Sequence, residues 1–379
     1  METGNINQET VAVVGASYLQ RPLVGKAKEM GLRVLCFAWA EGAVCKDICD
    51  MFYPISIVDK DEILDVCRKE NIDGVCTIAS DVAAPTVAYV AGKMGLKGNS
   101  YDSALKAHDK MDMRVAFSEH GVPCPKFWQV QSIDDIRNEE LAFPLIVKPV
   151  DRSGSLGVTK VESVENLNAA IKCACENSFR KAAIVEQFVY GREVSVEFIS
   201  YDGIHYPLAI TDKVTTGAPH FVEIAHHQPS TLPSETKERL YSITKNALDA
   251  LGVTNGASHS EYKITEDGEI FIIETGARMG GDFIGSDLVR LSTGYDFVKG
   301  VIEVALGTFE KPVLNENNCS GVYFLCSETP AVLEYIKNRE KYPQIVAAEL
   351  TDKELKKVPC SAERSGYFIY NGRERFSFK

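Results

Sequence analysis

Three groups of residues have types and spacings that could do chemistry. The first is Lys148, which ends the apolar run Pro144-Leu145-Ile146-Val147 and opens a segment carrying Ser153, Gly154, Ser155 and Gly157. A strand that ends in lysine and continues into small residues offers backbone amides able to cradle phosphate oxygens. No Gly-Lys-Ser/Thr closes it, so it is not a Walker loop. The second group is Glu261 and Glu274, thirteen residues apart on two strand-like runs around the turn Glu266-Asp267-Gly268. An antiparallel hairpin would bring both carboxylates to one face, within reach of a shared hard cation such as Mg²⁺, which takes its remaining ligands from water and phosphate. The apolar Phe271-Ile272-Ile273 before Glu274 means that a carboxylate there needs compensating charge. The third is Arg278 with Gly280 and Gly281, a planar fork for carboxylate or phosphate beside accessible amides. Each group alone has a plainer reading: a glycine turn with a snorkelling lysine, a solvated acidic face, a surface arginine.

The elements that must position these residues follow from periodicity. Val11 to Gly15, a helix from Pro22 to Met30, and Arg33 to Phe37 make a β-α-β opening, continued by a helix at 60–70, a buried strand at 74–78 and a helix at 84–94. Residues 1–97 therefore predict a parallel-sheet domain. The turn Gly15-Ala16-Ser17 lacks the full Gly-x-Gly-x-x-Gly spacing, which argues against a nicotinamide or flavin cofactor. Beyond 98, a charged helical stretch spans Tyr101 to His120, and a helix is expected at 164–176. Strands are expected at 182–188 and 193–199, a loop-rich region with strand pieces at 203–231, a helix at 237–251, and the hairpin 258–264 with 269–274. The residues from Lys311 onward mix strands with short helices.

Taken together, the order Lys110, Lys148, glycine loop, Glu186 to Val189, Glu193, Glu261, Glu274 and Arg278 resembles the ATP-grasp superfamily over about residues 10 to 310. The resemblance implies an α/β (α+β) chain with the ATP-grasp fold: a Rossmann-like domain over 1–97, an ATP-grasp domain over 98–310 with a lid at about 115–188, and a small C-terminal α+β domain over 311–379. It implies ATP as cofactor, its phosphates contacted by Lys110 and Lys148 under the loop containing Ser153, Gly154, Ser155 and Gly157. Glu186, Phe188 and Val189 would belong to the linker that faces adenine, and Glu193 would hold the ribose. Glu261 and Glu274 would ligate Mg²⁺, or Mn²⁺ in its place, and Arg278 would stabilise an acyl-phosphate. The family usually has Asn two residues after the second glutamate; here that position is Gly276, which removes one metal oxygen. Met279-Gly280-Gly281-Asp282 after the arginine resembles the amino-acid ligases, as does Glu223-Ile224-Ala225-His226, which would place Glu223 near the metal or a substrate ammonium and His226 near the carbonyl under attack. The implied activity is ATP-dependent joining of a small carboxylic acid to an amine. A carbamoyl-phosphate or purine-pathway type enzyme and a non-catalytic nucleotide-binding module remain the alternatives.

Composition narrows the partners. The chain has 379 residues and a formal net charge of −12, so most of its surface would repel a phosphate backbone and nucleic acid is not an expected partner. No apolar run is long enough for a membrane helix, and the opening residues lack a basic start followed by an apolar core, which predicts a cytoplasmic protein. Eleven cysteines, mostly inside apolar runs, read as thiols in a reducing compartment. Small-molecule carboxylate and amine substrates are expected, with a homodimer as the default assembly.

Overall fold

The computed structural model describes residues 8–136, 140–152, 156–217, 221–352, 354, 355, 357 and 361–378. Four short apolar strands, β1 (Thr10–Val14), β2 (Arg33–Phe37), β3 (Met51–Tyr53) and β4 (Gly74–Cys76), pair in parallel in the order β3-β2-β1-β4. Both faces are covered: Val11, Val13 and Cys36 pack into one core and Ala12, Val14 and Leu35 into another, which is why these strands read as continuous hydrophobic runs. This is the parallel sheet expected from the sequence.

A four-stranded antiparallel sheet follows, ordered β5-β8-β6-β7 from β5 (Phe127–Val130), β6 (Leu145–Pro149), β7 (Thr159–Val161) and β8 (Ala183–Gln187). The helix Val164–Asn177 lays Leu167, Ala170, Ile171 and Ala174 against it. The third sheet has eight strands: β9 (Arg192–Tyr201), β10 (Ile204–Thr215), β11 (Glu223–Gln228), β12 (Gly256–Ile264), β13 (Ile270–Gly276), β14 (Cys319–Leu325), β15 (Ile345–Leu350) and β16 (Gly366–Gly372). Their order is β13-β12-β9-β10-β11-β14-β16-β15, every neighbouring pair antiparallel, so the strands after 311 extend the sheet of the central region through β11.

Two expectations need correction. The stretch Tyr101 to His120 is two helices, Tyr101–His108 and Lys110–Glu119, separated at Asp109. Asp109 is extended and its carboxylate accepts hydrogen bonds from the Met111 and Asp112 amides, so it caps the second helix and places Lys110 at its first position. The region 203–231 is mostly strand, because Asp202 and Gly203, both at positive φ, form a two-residue turn that folds β10 back on β9.

Candidate active site

Alternation along β9, β12 and β10 divides the large sheet into an apolar face and a polar one. Val194, Val196, Phe198, Tyr262 and Ile272 pack with Leu240 and Leu248 of the helix Ser234–Leu251. Glu193 and Glu197, His259, Glu261 and Lys263, and Lys213 occupy positions of the opposite parity. On β12 and β13, Glu261 and Glu274 are direct cross-strand partners. Like charges placed opposite each other destabilise a sheet, and here lysines offset them: Lys213 Nζ lies 2.6 Å from Glu261 and Lys110 Nζ 2.9 Å from Glu274. Burial pushes the Glu261 carboxyl up, but Lys213 and His259 outweigh it and hold the group well below the usual range. Burial also works against the Lys110 ammonium, yet Glu274, with Asp81 and Glu186, offsets this and the net direction is up.

Lys148 on β6 and Glu186 on β8 are diagonal neighbours, their Nζ and Oε2 atoms 2.7 Å apart. Glu186 also meets the fully buried Arg114 at 2.7 Å. Burial lowers the Lys148 pKa, with Glu186 opposing. The Glu186 side chain is thus bound into a buried ion triad, while Phe188 and Val189 line a cavity of about 230 Å³. That cavity brings together Lys110, Lys148, Glu186, Phe188, Val189, Glu193, Glu223, Glu261, Glu274 and Arg278. Glu193 is held by Lys263 at 2.9 Å and Lys213 at 3.2 Å. Gly157 takes φ +73, where an added Cβ would lie 3.0 Å from Pro149 Cγ. Ser153, Gly154 and Ser155 lie outside the described residues.

Glu223 and His226 are not brought together in the same way. Glu223 reaches the cavity, accepts from the Ser361 hydroxyl at 2.8 Å and lies 3.5 Å from Lys213. His226 is 1% exposed, edge-on to Phe324, with Nε2 3.8 Å from Asp282, and it does not line the cavity. Arg364 from the C-terminal region grips Asp282 with bonds of 2.8 and 2.6 Å and lies 3.6 Å from the Phe324 ring centroid.

Sequence reasoning missed Lys213, buried among three glutamates; Asp81, which holds Arg278 in a bidentate pair; and His259, bound to Glu197 at 2.6 Å and raised to about 9 because Glu197 and Glu261 outweigh burial. Period-two alternation marks Lys213 and His259 as sharing a sheet face with Glu193 and Glu261, a usable signal. Asp81 had only its place after a parallel strand, at the end where such sheets bind ligands.

Among the described residues no group of three or more His, Cys, Asp or Glu is placed to hold a metal ion. Two facing carboxylates in a cavity also lined by Lys110 and Lys148 nevertheless fit Mg²⁺ in donor type, since it draws its other oxygens from phosphate and water. Residues 141–287 match the family described as the ATP-grasp domain. This chain carries an ATP-grasp domain. The chain is 31% identical over 245 residues to an alanine–anticapsin ligase of Bacillus subtilis, an alignment covering 58% of this chain and 51% of that protein. The chain thus spans about half the length of that relative. An L-amino acid ligase from Bacillus licheniformis superposes with a TM-score of 0.81 at 23% identity, over 97% of this chain and 94% of the other. An N5-carboxyaminoimidazole synthetase from Staphylococcus aureus complexed with ADP gives 0.79 at 15% identity, over 97% and 94%. These superpositions establish the ATP-grasp fold over nearly the whole chain.

Proposed function

We propose that this ATP-grasp chain is an ATP-dependent carboxylate–amine ligase that activates a small carboxylic acid, an amino acid, as an acyl-phosphate and joins it to an amine, releasing ADP and phosphate. The observation that carries this reading is the facing pair Glu261 and Glu274 with Lys110, Lys148 and Arg278 around one cavity. The likeness to the alanine–anticapsin ligase supports the amino-acid branch.

A carboxylate is a poor acyl donor because its oxygen leaves badly, so phosphorylation by ATP must come first. Both steps develop charge on oxygens, and preorganised cations are the means of stabilising it. We assign Lys110 and Lys148 to the ATP phosphates and Arg278 to the acyl-phosphate. Glu193 is assigned to the ribose, and Phe188 and Val189 to the adenine side of the cavity. Glu261 and Glu274 would hold Mg²⁺, or Mn²⁺, which supplies charge neutralisation at the phosphates. Glu186 is better placed to orient Lys148 than to meet nucleotide. The attacking amine must shed a proton; Glu223, which lines the cavity, is the nearer acceptor, and His226 would act only through Asp282. No helix among the described residues is long and apolar enough to cross a membrane; a cytoplasmic location and a homodimer belong to this proposal.

The test is ADP release over a panel of amino acids offered singly and in pairs. Stimulation by at least one pair, with an amide product of the summed mass less water, is the expected result. Release that stays at the no-substrate background for every acid contradicts the ligase reading, and release that depends on bicarbonate instead favours the carbamoyl-phosphate type.

A further inference from the structure

Arg278 is held from outside its own sheet. Its Nε and Nη2 donate to the two carboxylate oxygens of Asp81, each at 2.7 Å, and the paired side chains are only 14% and 12% exposed. Asp81 belongs to the N-terminal domain, in the segment between β4 and the helix Ala84–Met94. The same segment makes a second tie: the Ala79 amide donates to the Met279 carbonyl at 3.1 Å, with Ala79 at φ 56, a left-handed conformation that alanine seldom adopts. Such conformations persist only where the surroundings over-determine them.

Gly276 completes the arrangement. Its backbone is not in the left-handed region, so conformation does not call for glycine there; space does. A Cβ at Gly276 would lie 2.7 Å from Asp81 Oδ1 and 3.1 Å from both Cζ and Nε of Arg278. The missing side chain is the room through which the Asp81 carboxylate reaches the guanidinium.

We infer that Asp81 is a positioning residue supplied by the N-terminal domain, that it fixes the plane of the Arg278 guanidinium over the cavity, and that Gly276 is its steric counterpart. An arginine side chain has five N–H donors. Asp81 takes two, and the Met279 carbonyl, 3.3 Å from Nη1, takes a third. What remains are the outward N–H groups of Nη1 and Nη2, on one edge, and these are the donors left for an anion in the cavity. Without Asp81 the long side chain loses both its anchor and the partner for its buried charge. A shift of about 1 Å in such a group costs on the order of 100-fold in rate.

The inference rests on the ligase reading for what Arg278 does, but the pairing itself does not, and the experiment separates the two. The variants are D81A, D81N, G276A and the double D81A/G276A. For each, kcat and KM are measured for ATP and the acid, ADP affinity by calorimetry, and Tm by thermal unfolding. D81A should lower kcat by about 100-fold and leave ADP affinity near that of the wild type, since the hydrogen bonds of Asp81 go to Arg278, while Lys110 is tied to the Arg152 carbonyl and Glu274. D81N should fall between, because its amide oxygen still accepts from Nε. G276A should reproduce the kcat loss, and adding it to D81A should cost little more in either kcat or Tm. A D81A enzyme with wild-type kcat, or losses from D81A and G276A that simply add, would overturn the inference. If no acid supports turnover, the ligase reading fails, and the coupling between positions 81 and 276 is still decided by whether their Tm losses add.

Discussion

Glu186 is the residue on which the charge arrangement of the site turns. It is buried, with one oxygen 2.7 Å from Arg114 and the other 2.7 Å from Lys148. Burial pushes its carboxyl up, but the two cations outweigh that and hold it below the ordinary 4.5. Removing one member of a buried ion cluster leaves uncompensated charge and costs about 3–5 kcal/mol. E186Q should therefore lose roughly that much unfolding free energy at neutral pH, read by urea denaturation. The sign of the pH dependence follows from the depressed folded value. The stabilisation is complete above 4.5 and disappears as pH falls through the folded pKa, so the gap between wild type and E186Q should narrow below pH 4.5. A gap that stays constant into acid would mean that Glu186 is not ionised in the folded protein. At this scale the sequence was partly legible. Lys148, Glu261, Glu274 and Arg278 show themselves by type and by the glycines or apolar runs beside them. The burial of Glu186 in an ion triad does not, because Arg114 approaches from a helix seventy-two positions earlier. For Lys213, alternation gives the sheet face but not the contacts, because its partners Glu193, Glu223 and Glu261 lie on three other strands.

Among the elements, the helix Lys110–Glu119 shows how a cap can set a functional side chain. Asp109 accepts from the Met111 and Asp112 amides at 2.9 and 3.1 Å and pairs with Arg180. Lys110 follows directly, with its Nζ donating to the Arg152 carbonyl at 2.7 Å and reaching Glu274. Loss of an aspartate cap costs about 0.5–2 kcal/mol. D109A is expected to lose stability in that range and to raise KM for ATP severalfold, because the first turn no longer fixes Lys110. An unchanged KM alongside the stability loss would show that the helix start does not position the lysine. The hairpin β12–β13 was readable, since an Asp-Gly turn between alternating runs specifies it. The break at Asp109 was not, because charges throughout 101–120 blur where one helix stops and the next begins. Likewise the polar residues and glycines of 203–231 suggested loop with only pieces of strand, although Asp202-Gly203 is itself a hairpin signal; β10 is a long strand because β9 and β11 satisfy its backbone on both sides.

Over the whole molecule, the eight-stranded sheet joins parts that the sequence reading separates at about residue 310. β14 pairs with β11 from Ala225↔Tyr323 to Gln228↔Ser320, and Arg375 pairs with Asp212 of β10. Similarly the helix Phe297–Leu306 packs Phe297, Val301 and Ile302 in one core with Val11, Val13 and Leu23 of the N-terminal domain. A chain ending at residue 310 would expose the edge of β11 and the faces that β14 and β16 cover, so it should aggregate or unfold at a markedly lower temperature. A soluble 1–310 fragment with the full-length Tm would show that the extension of the sheet is dispensable. The parallel opening domain was legible because buried parallel strands read as unbroken apolar runs. Continuity of the large sheet was not, since pairing between β11 and β14, about a hundred residues apart, leaves no local trace. The central claim is that a carboxylate is phosphorylated in the cavity before the amine attacks. It is tested most directly by supplying the acid substrate with ¹⁸O in its carboxylate and analysing the phosphate released during turnover. One ¹⁸O in each phosphate is the predicted result. Phosphate that carries no label, while amide and ADP accumulate, would contradict the acyl-phosphate route.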